Sequence, residues 1–329
     1  MKKTLFYAAV AALALIGCNE KDVEPVKMQK EAAEFTLNVS VPVTATKSGE
    51  TVDDSAVEDV QILVFDDDGL LEAYAQGGNE TQLQLRCTAG TKNVVALVNA
   101  PDMSDIRSRT SLVAKSTDLL ADNAPGRLVM EGEKELIISV GVESYEVTVP
   151  VRRKVAKVYL GSVDLDYSVD HYKYKTFTID AVYLINVVGN KYYLSDTEPY
   201  LWYNKLMAED SGKVPMLYDK LTTPLTVHPD IAYAGTHVFY CYPNSSADSS
   251  HPAWAPRSTR FVVEATLDGN KCYYPVTMPV IAQNKAYKVN LVIKRPGSDS
   301  PDIPVQTYWG DGNVEVKDWE EVITVDKEL

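Results

Sequence analysis

Apolar side chains that recur at every second position constrain this fold more than any other feature of the chain. Over residues 35–43, Phe35, Leu37, Val39, Val41 and Val43 alternate with Thr36, Asn38, Ser40 and Pro42. Successive side chains of an extended chain point to opposite faces, so this spacing gives a strand one apolar face. On a helix the same residues would scatter. Pro42 offers no N–H to a ladder, which suits a sheet edge or a strand end. Strand-like runs continue at 60–65, 81–85, 92–98, 136–140 and 145–149, and Asp66-Asp67-Asp68-Gly69 turns the chain from the first of these into residues 70–74 as a hairpin. The phase breaks near Pro150, and a second series follows at 151–163, 177–188, 191–194, 237–243, 260–267, 271–278 and 286–293. Residues 111–120 form the one segment that reads as a short helix. The chain is longer than one typical domain, and short strands with turn residues between them indicate β-sandwiches. The expectation is an all-β fold of two tandem sandwich domains, residues 34–149 and 150–329.

The N-terminus has a different pattern. Lys2 and Lys3 precede a twelve-residue apolar run over 5–16, which ends in Gly17 and Cys18. That run is shorter than the roughly 20 residues a membrane-spanning helix needs. It reads instead as the core of a secretory signal, residues 1–17. The order Leu15-Ile16-Gly17-Cys18 gives a peptidase small residues to approach and a thiol to carry lipid, so Cys18 is expected to be lipidated and to become the first mature residue. An ordinary signal with a chance cysteine would more often show an Ala-x-Ala pattern, and none stands beside Cys18. Two or three acyl chains hold a protein firmly at a membrane where one is marginal. Residues 18–33 are polar and aperiodic, as a flexible tether would be.

Composition excludes several functions. The chain carries a formal charge of −14, and removal of Lys2 and Lys3 with the signal makes it more negative still. Nucleic acid is therefore not an expected partner. His171, His228, His237 and His251 lack metal-site spacing, and no nucleophile elbow or phosphate-binding loop is present. No catalytic residue, metal or cofactor is assigned. The carboxylates of Asp66, Asp67 and Asp68 lack the distal Glu of a calcium loop and read as a solvated turn. Beyond Cys18 the cysteines are Cys87, Cys241 and Cys272. Cys241 and Cys272 either pair outside the cytoplasm or stay as buried thiols. Tyrosine outnumbers phenylalanine by 20 to 6. Tyr172, Tyr174, Tyr192, Tyr193, Tyr200, Trp202 and Tyr203 serve either as cross-strand packing or as platforms for sugars.

Several segments together resemble the FimA-like fimbrillins, subunits of the type V pilus. They are the residues around Cys18, VQILVFDDDGLLEAY at 60–74, RRKVAKVYL at 152–160, FYCYPNSS at 239–246, YYPVTMP at 273–279, NKAYKVNLVIKRPGSDSPDIP at 284–304 and VEVKDWEEV at 314–322. The resemblance implies two transthyretin-like sandwiches. It also implies a lipidated precursor at the cell outer membrane, from which a trypsin-like protease removes the first strand so that a neighbouring subunit can fill the groove. On that pattern residues 34–47 are a removable propeptide. Phe35, Leu37, Val39, Val41 and Val43 are the plug, and residues 314–325 are the donor, with Val314, Val316, Val322 and Val325 as inserted side chains. Known members are cut after Arg. Here Lys47 is the only basic residue between Lys30 and Arg86, so Lys47 and Ser48 are expected to flank the cut. Implied partners are other pilus subunits, the protease, the outer membrane through the lipid on Cys18 and a host or bacterial surface ligand, with the surface fimbrium as final location. Two other readings remain open. In one, Lys47 stays uncut in an anchor or tip subunit; in the other, the chain is a surface glycan-binding lipoprotein that uses Trp202 or Trp254.

Overall fold

The computed structural model describes residues 35–41, 53–141, 143–205, 214–235, 237–249, 253–303, 305, 317–318 and 323–328. Cys18, Val43, Lys47, Ser48, Val314, Val316 and Val322 lie outside the described residues. The fold is all-β, as the alternation requires.

In the first half the elements are β1 (Phe35–Ser40), β2 (Val60–Phe65), β3 (Leu71–Gly77), β4 (Gln82–Cys87), β5 (Gly90–Val98), α1 (Arg109–Val113), β6 (Ser116–Asp118), α2 (Leu119–Asp122), β7 (Met130–Ile138), β8 (Ser144–Thr148) and β9 (Arg152–Arg153). They form a three-stranded sheet in the order β4-β1-β8 and a five-stranded sheet in the order β3-β2-β5-β7-β9. The two sheets pack face to face: Leu37, Val39, Leu85 and Val147 of one meet Ile62, Val64, Val94, Ala96 and Ile138 of the other in one aliphatic core. Strand β2 is buried along its whole length, because its other face, Leu63 and Phe65, packs with Met103, Ile106 and Leu112.

The second half runs through β10 (Ala156–Leu165), α3 (Asp170–Lys173), β11 (Phe177–Ile185), β12 (Val187–Val188), β13 (Asn190–Tyr192), β14 (Trp202–Tyr203), β15 (Tyr218–Val227), β16 (Val238–Cys241), β17 (Arg260–Leu267), β18 (Asn270–Thr277), β19 (Lys285–Ile293), β20 (Lys317–Asp318) and β21 (Ile323–Glu328). One sheet has the order β16-β10-β19-β20 with β21 also on β19, and the other β15-β11-β17-β18. Between them lies a core rich in aromatic residues, with Phe177, Phe239, Phe261, Tyr274 and Tyr287 fully or nearly fully buried.

Two strands keep an apolar face only by breaking strict alternation. In β10, Val158 and Leu160 point into the core, and so do Val163 and Leu165. The register on β19 shifts between Leu160 and Ser162, so the extra residue restores the phase. That residue is Gly161, where a Cβ would come within 2.0 Å of Asn290 Oδ1. Strand β11 does the same between Ile179 and Ala181.

The helix expected over 111–120 is corrected. A capping box at Ser108 starts α1, but the segment turns at Ala114, and residues 116–118 pair antiparallel with β13 as β6. Asp118 then caps α2 through the N–H groups of Leu120 and Ala121. A tertiary strand partner thus overrides local helix propensity. Strand β15, which carries Pro224, was not expected. It lies at the edge of its sheet, where proline is tolerated. Cys87, Cys241 and Cys272 are all buried free thiols, which leaves Cys241 and Cys272 unpaired. The proposed boundary at residue 150 does not separate all contacts: β9 extends the first five-stranded sheet, and Leu119 and Leu128 join the aromatic core.

Candidate functional site

The first strand occupies the centre of its sheet. It runs antiparallel to β4, pairing Phe35 with Cys87 through to Ser40 with Gln82, and parallel to β8, pairing Thr36 with Ser144 through to Ser40 with Thr148. The sheet-edge position that Pro42 allowed does not apply to β1, and Pro42 itself lies outside the described residues. Leu37, Val39 and Val41 are 0%, 1% and 0% exposed. Backbone bonds close both ends: Val41 N donates to Thr81 O at 2.8 Å, Val149 N to Ser40 O at 2.9 Å and Thr36 N to Glu143 O at 3.3 Å. On the outer face Asn38 Nδ2 donates to Glu146 Oε1 at 2.7 Å, and Gln84 Nε2 donates to Asn38 Oδ1 at 3.0 Å.

The energetics follow from this placement. Each buried aliphatic side chain of β1 contributes roughly 1.5 to 3 kcal/mol relative to exposure. Without β1, the three sockets would open and β4 and β8 would become facing edges with unpaired N–H and C=O groups. Such a groove accepts a new strand readily.

Just beyond this strand and the loop that follows it, the chain is held by a polar post. Asp54 is buried; Lys157 Nζ lies 3.0 Å from its Oδ2, the Tyr240 hydroxyl donates to its Oδ1, and Arg153 Nε donates to its backbone carbonyl at 2.9 Å. Lys154, one residue on, sits 2.6 Å from Glu131, donates to Tyr192 O at 2.9 Å and lies over the Tyr193 ring. Burial pulls the Lys154 ammonium below its ordinary pKa, and Glu131 opposes the shift. The three cations of residues 152–160 that lie at this junction are therefore partnered, as buried charges must be. Sequence reasoning missed Asp54 and Glu131, because an isolated carboxylate in a loop or strand carries no signal of its distant partner.

Residues 317–318 and 323–328 of the C-terminal segment pair with their own molecule. The backbone of β21 runs parallel to β19 and sets Val325 opposite Val289, while β20 pairs antiparallel with the start of β19. The aromatic platforms are less available than a sugar site requires. Trp202 is 6% exposed and meets Trp254 edge to face at 5.5 Å, and Trp254 packs against the core. Among the described residues the open rings are Tyr174 at 91% and Tyr200 at 71% exposed. His237 is a hydrogen-bonded interior residue, its Nδ1 on Asp219 and its Nε2 2.7 Å from the Tyr233 hydroxyl. Among the described residues no group of three or more His, Cys, Asp or Glu could hold a metal ion, and no helix is long and apolar enough to cross a membrane.

Comparison with known proteins agrees with this architecture. The Major fimbrium subunit FimA type-2 of Porphyromonas gingivalis is 29% identical over 150 residues, which span 44% of this chain and 38% of that relative. A fimbrilin (FimA) structure from Porphyromonas gingivalis superposes with a TM-score of 0.64 at 17% identity, covering 89% of this chain and 96% of the other. A structure from Bacteroides eggerthii assigned to cell adhesion gives a TM-score of 0.66 at 18% identity, covering 89% and 97%. At these identities the structures speak for the fold alone. The family of "Fimbrillin-A associated anchor proteins Mfa1 and Mfa2" matches residues 28–325, almost the whole chain, and the protein belongs to that family of FimA-like fimbrillins.

Proposed function

We propose that this chain is a structural subunit of a surface fimbrium, exported as a lipoprotein precursor and polymerised by protease-triggered strand exchange in support of adhesion. The observation that carries this reading is the place of β1. A strand from the chain's N-terminal end fills the middle of a sheet, buries Leu37, Val39 and Val41, and is followed by Lys47 in the sequence. In the proposed sequence of events lipid on Cys18 brings the precursor to the outer membrane. A trypsin-like protease cuts between Lys47 and Ser48, the segment with Phe35 to Val43 departs, and the tail of another subunit enters. Val314, Val316, Val322 and Val325 are the side chains offered by that tail. Head-to-tail filling of this kind does not close on itself, so it builds a filament. The buried post at Asp54 supports the reading, because it lies beyond the cut and stays with the body.

Mild trypsin on the purified precursor tests this. Expected products are a fragment ending at Lys47, a new N-terminus at Ser48 and oligomers. Deletion of residues 314–329 should stop assembly while the monomer stays folded. A cut form that remains monomeric and folded would sink the proposal. The family's description as anchor proteins favours a second reading, in which Lys47 stays uncut and the chain is the lipid-held base of the fimbrium. The N-terminal residue on intact cells separates the two: Ser48 marks a processed subunit and acylated Cys18 an anchor.

A further inference from the structure

The groove around β1 has a polar reader as well as three sockets. Asn38 both donates to Glu146 and accepts from Gln84, an arrangement that a side-chain amide satisfies and a carboxylate does not. Thr36 stands directly across from Arg86. Inward, the sockets of Leu37, Val39 and Val41 are almost completely closed to water, so a charge placed in one of them would be buried without a partner.

We infer that residues 311–316 of a second copy enter this groove in the register of residues 36–41, with Asn313 taking the place of Asn38. This rests on the strand-exchange reading above and specifies its register. The segment Asn38-Val39-Ser40-Val41 recurs near the C-terminus as Asn313-Val314-Glu315-Val316. Aligned so, Val314 and Val316 fill the sockets of Val39 and Val41, Asn313 meets Glu146 and Gln84, and Asp311 faces Arg86. Within residues 311–329, other registers that put two branched aliphatic residues into the sockets bury a charge in the third: Asp318 beside Val314 and Val316, Glu321 or Lys327 beside Ile323 and Val325. The inferred register places Gly312 in the Leu37 socket, which leaves that socket unfilled but uncharged.

Cysteine cross-linking between full-length copies after protease cutting tests the register. Subunits with Gln84→Cys are mixed with subunits carrying Asn313→Cys or, as the shifted control, Glu315→Cys. The Asn313 pairing is expected to give at least ten-fold more intersubunit disulfide than the control. Moving the acceptor to Gln82→Cys, the partner of Ser40, should reverse the preference. Asn313→Asp, which sets a carboxylate against Glu146, should slow assembly about two- to five-fold, as like charges across strands do, and Glu146→Lys should restore it. Assembly that proceeds with Gln84 linking to Glu315, or to neither, overturns the register and leaves strand exchange standing. Cut protein that stays monomeric in every pairing overturns strand exchange itself and the register with it.

Discussion

The two largest cores among the described residues are filled with different chemistry. Around β1 the buried side chains are aliphatic: Leu37, Val39, Val41, Val60, Ile62, Val64, Val94 and Val98, with Met130 and Cys87. In the second half large aromatic residues take over, and the buried tyrosines each carry a hydroxyl that needs a partner. Tyr242 OH bonds Thr117 and Asn123 at 2.9 Å, Tyr274 OH donates to Arg295 O at 3.2 Å, Tyr287 OH to Val280 O at 3.1 Å and Tyr183 OH to Glu264 at 3.2 Å. Aliphatic sockets ask only for apolar volume, so one strand can replace another of similar size. A core built on such hydroxyls also asks for hydrogen-bond partners, so it accepts a substitute strand less readily. The strand proposed to exchange therefore lies where the chemistry would permit it.

Alkaline pH should break that contrast most sharply. Burial raises the pKa of Tyr183, Tyr242 and Tyr274 above the ordinary tyrosine value. A folded pKa above the unfolded one means stability that is fully present below pH about 10 and is lost as pH rises through the folded values. The second half should therefore unfold in that window, in step with tyrosinate absorbance, before the aliphatic core around β1 responds. Ionisation of the buried Tyr183, Tyr242 and Tyr274 near pH 10 in protein that is still folded would show the difference between the cores to be cosmetic.

At the junction, Lys154→Met leaves Glu131 buried without its cation. The expected loss is about 3 to 5 kcal/mol in denaturant unfolding, and Lys154→Met with Glu131→Leu should recover much of it. Leu37→Ala and Leu291→Ala then separate the halves. Both side chains are fully buried, and each truncation should cost about 2 to 5 kcal/mol in the intact precursor. Once residues 34–47 are gone, Leu37→Ala can have no effect, whereas Leu291→Ala should weaken cut and uncut protein alike. Equal effects of both before and after cutting would place β1 outside the exchange.

The sequence pattern revealed the strands at 60–65 and 260–267 to the residue, because both are dense in apolar and β-branched residues and bounded by polar turns. It failed where tertiary partners decide. Residues 116–118 have no apolar alternation and become a strand only because β13 lies beside them. The exposed β15 has too few inward side chains to show a period. The buried face of β1 was legible for the same reason as the strands. Its neighbours were not, since alternation says which face of β1 is buried but not that β4 and β8 flank it. Nor could spacing reveal that Asp54 meets Arg153, Lys157 and Tyr240 across long stretches of chain.

Asn38 gives the smallest effect and the finest distinction. Its side chain lies on the outer face, so Asn38→Ala removes two hydrogen bonds without opening a socket. Cross-strand pairs of this kind contribute about 0.2 to 1 kcal/mol, less than a single truncation inside the groove. In the precursor the change should lower the unfolding midpoint only slightly, and in the cut protein it should have no effect, because Asn38 has left. Asn313→Ala should behave in the opposite way, silent in the precursor and weakening only the assembled form. A measurable cost for Asn313→Ala in monomeric precursor would mean that this residue serves its own molecule, and the symmetry between plug and donor would fail at the position where it is most specific.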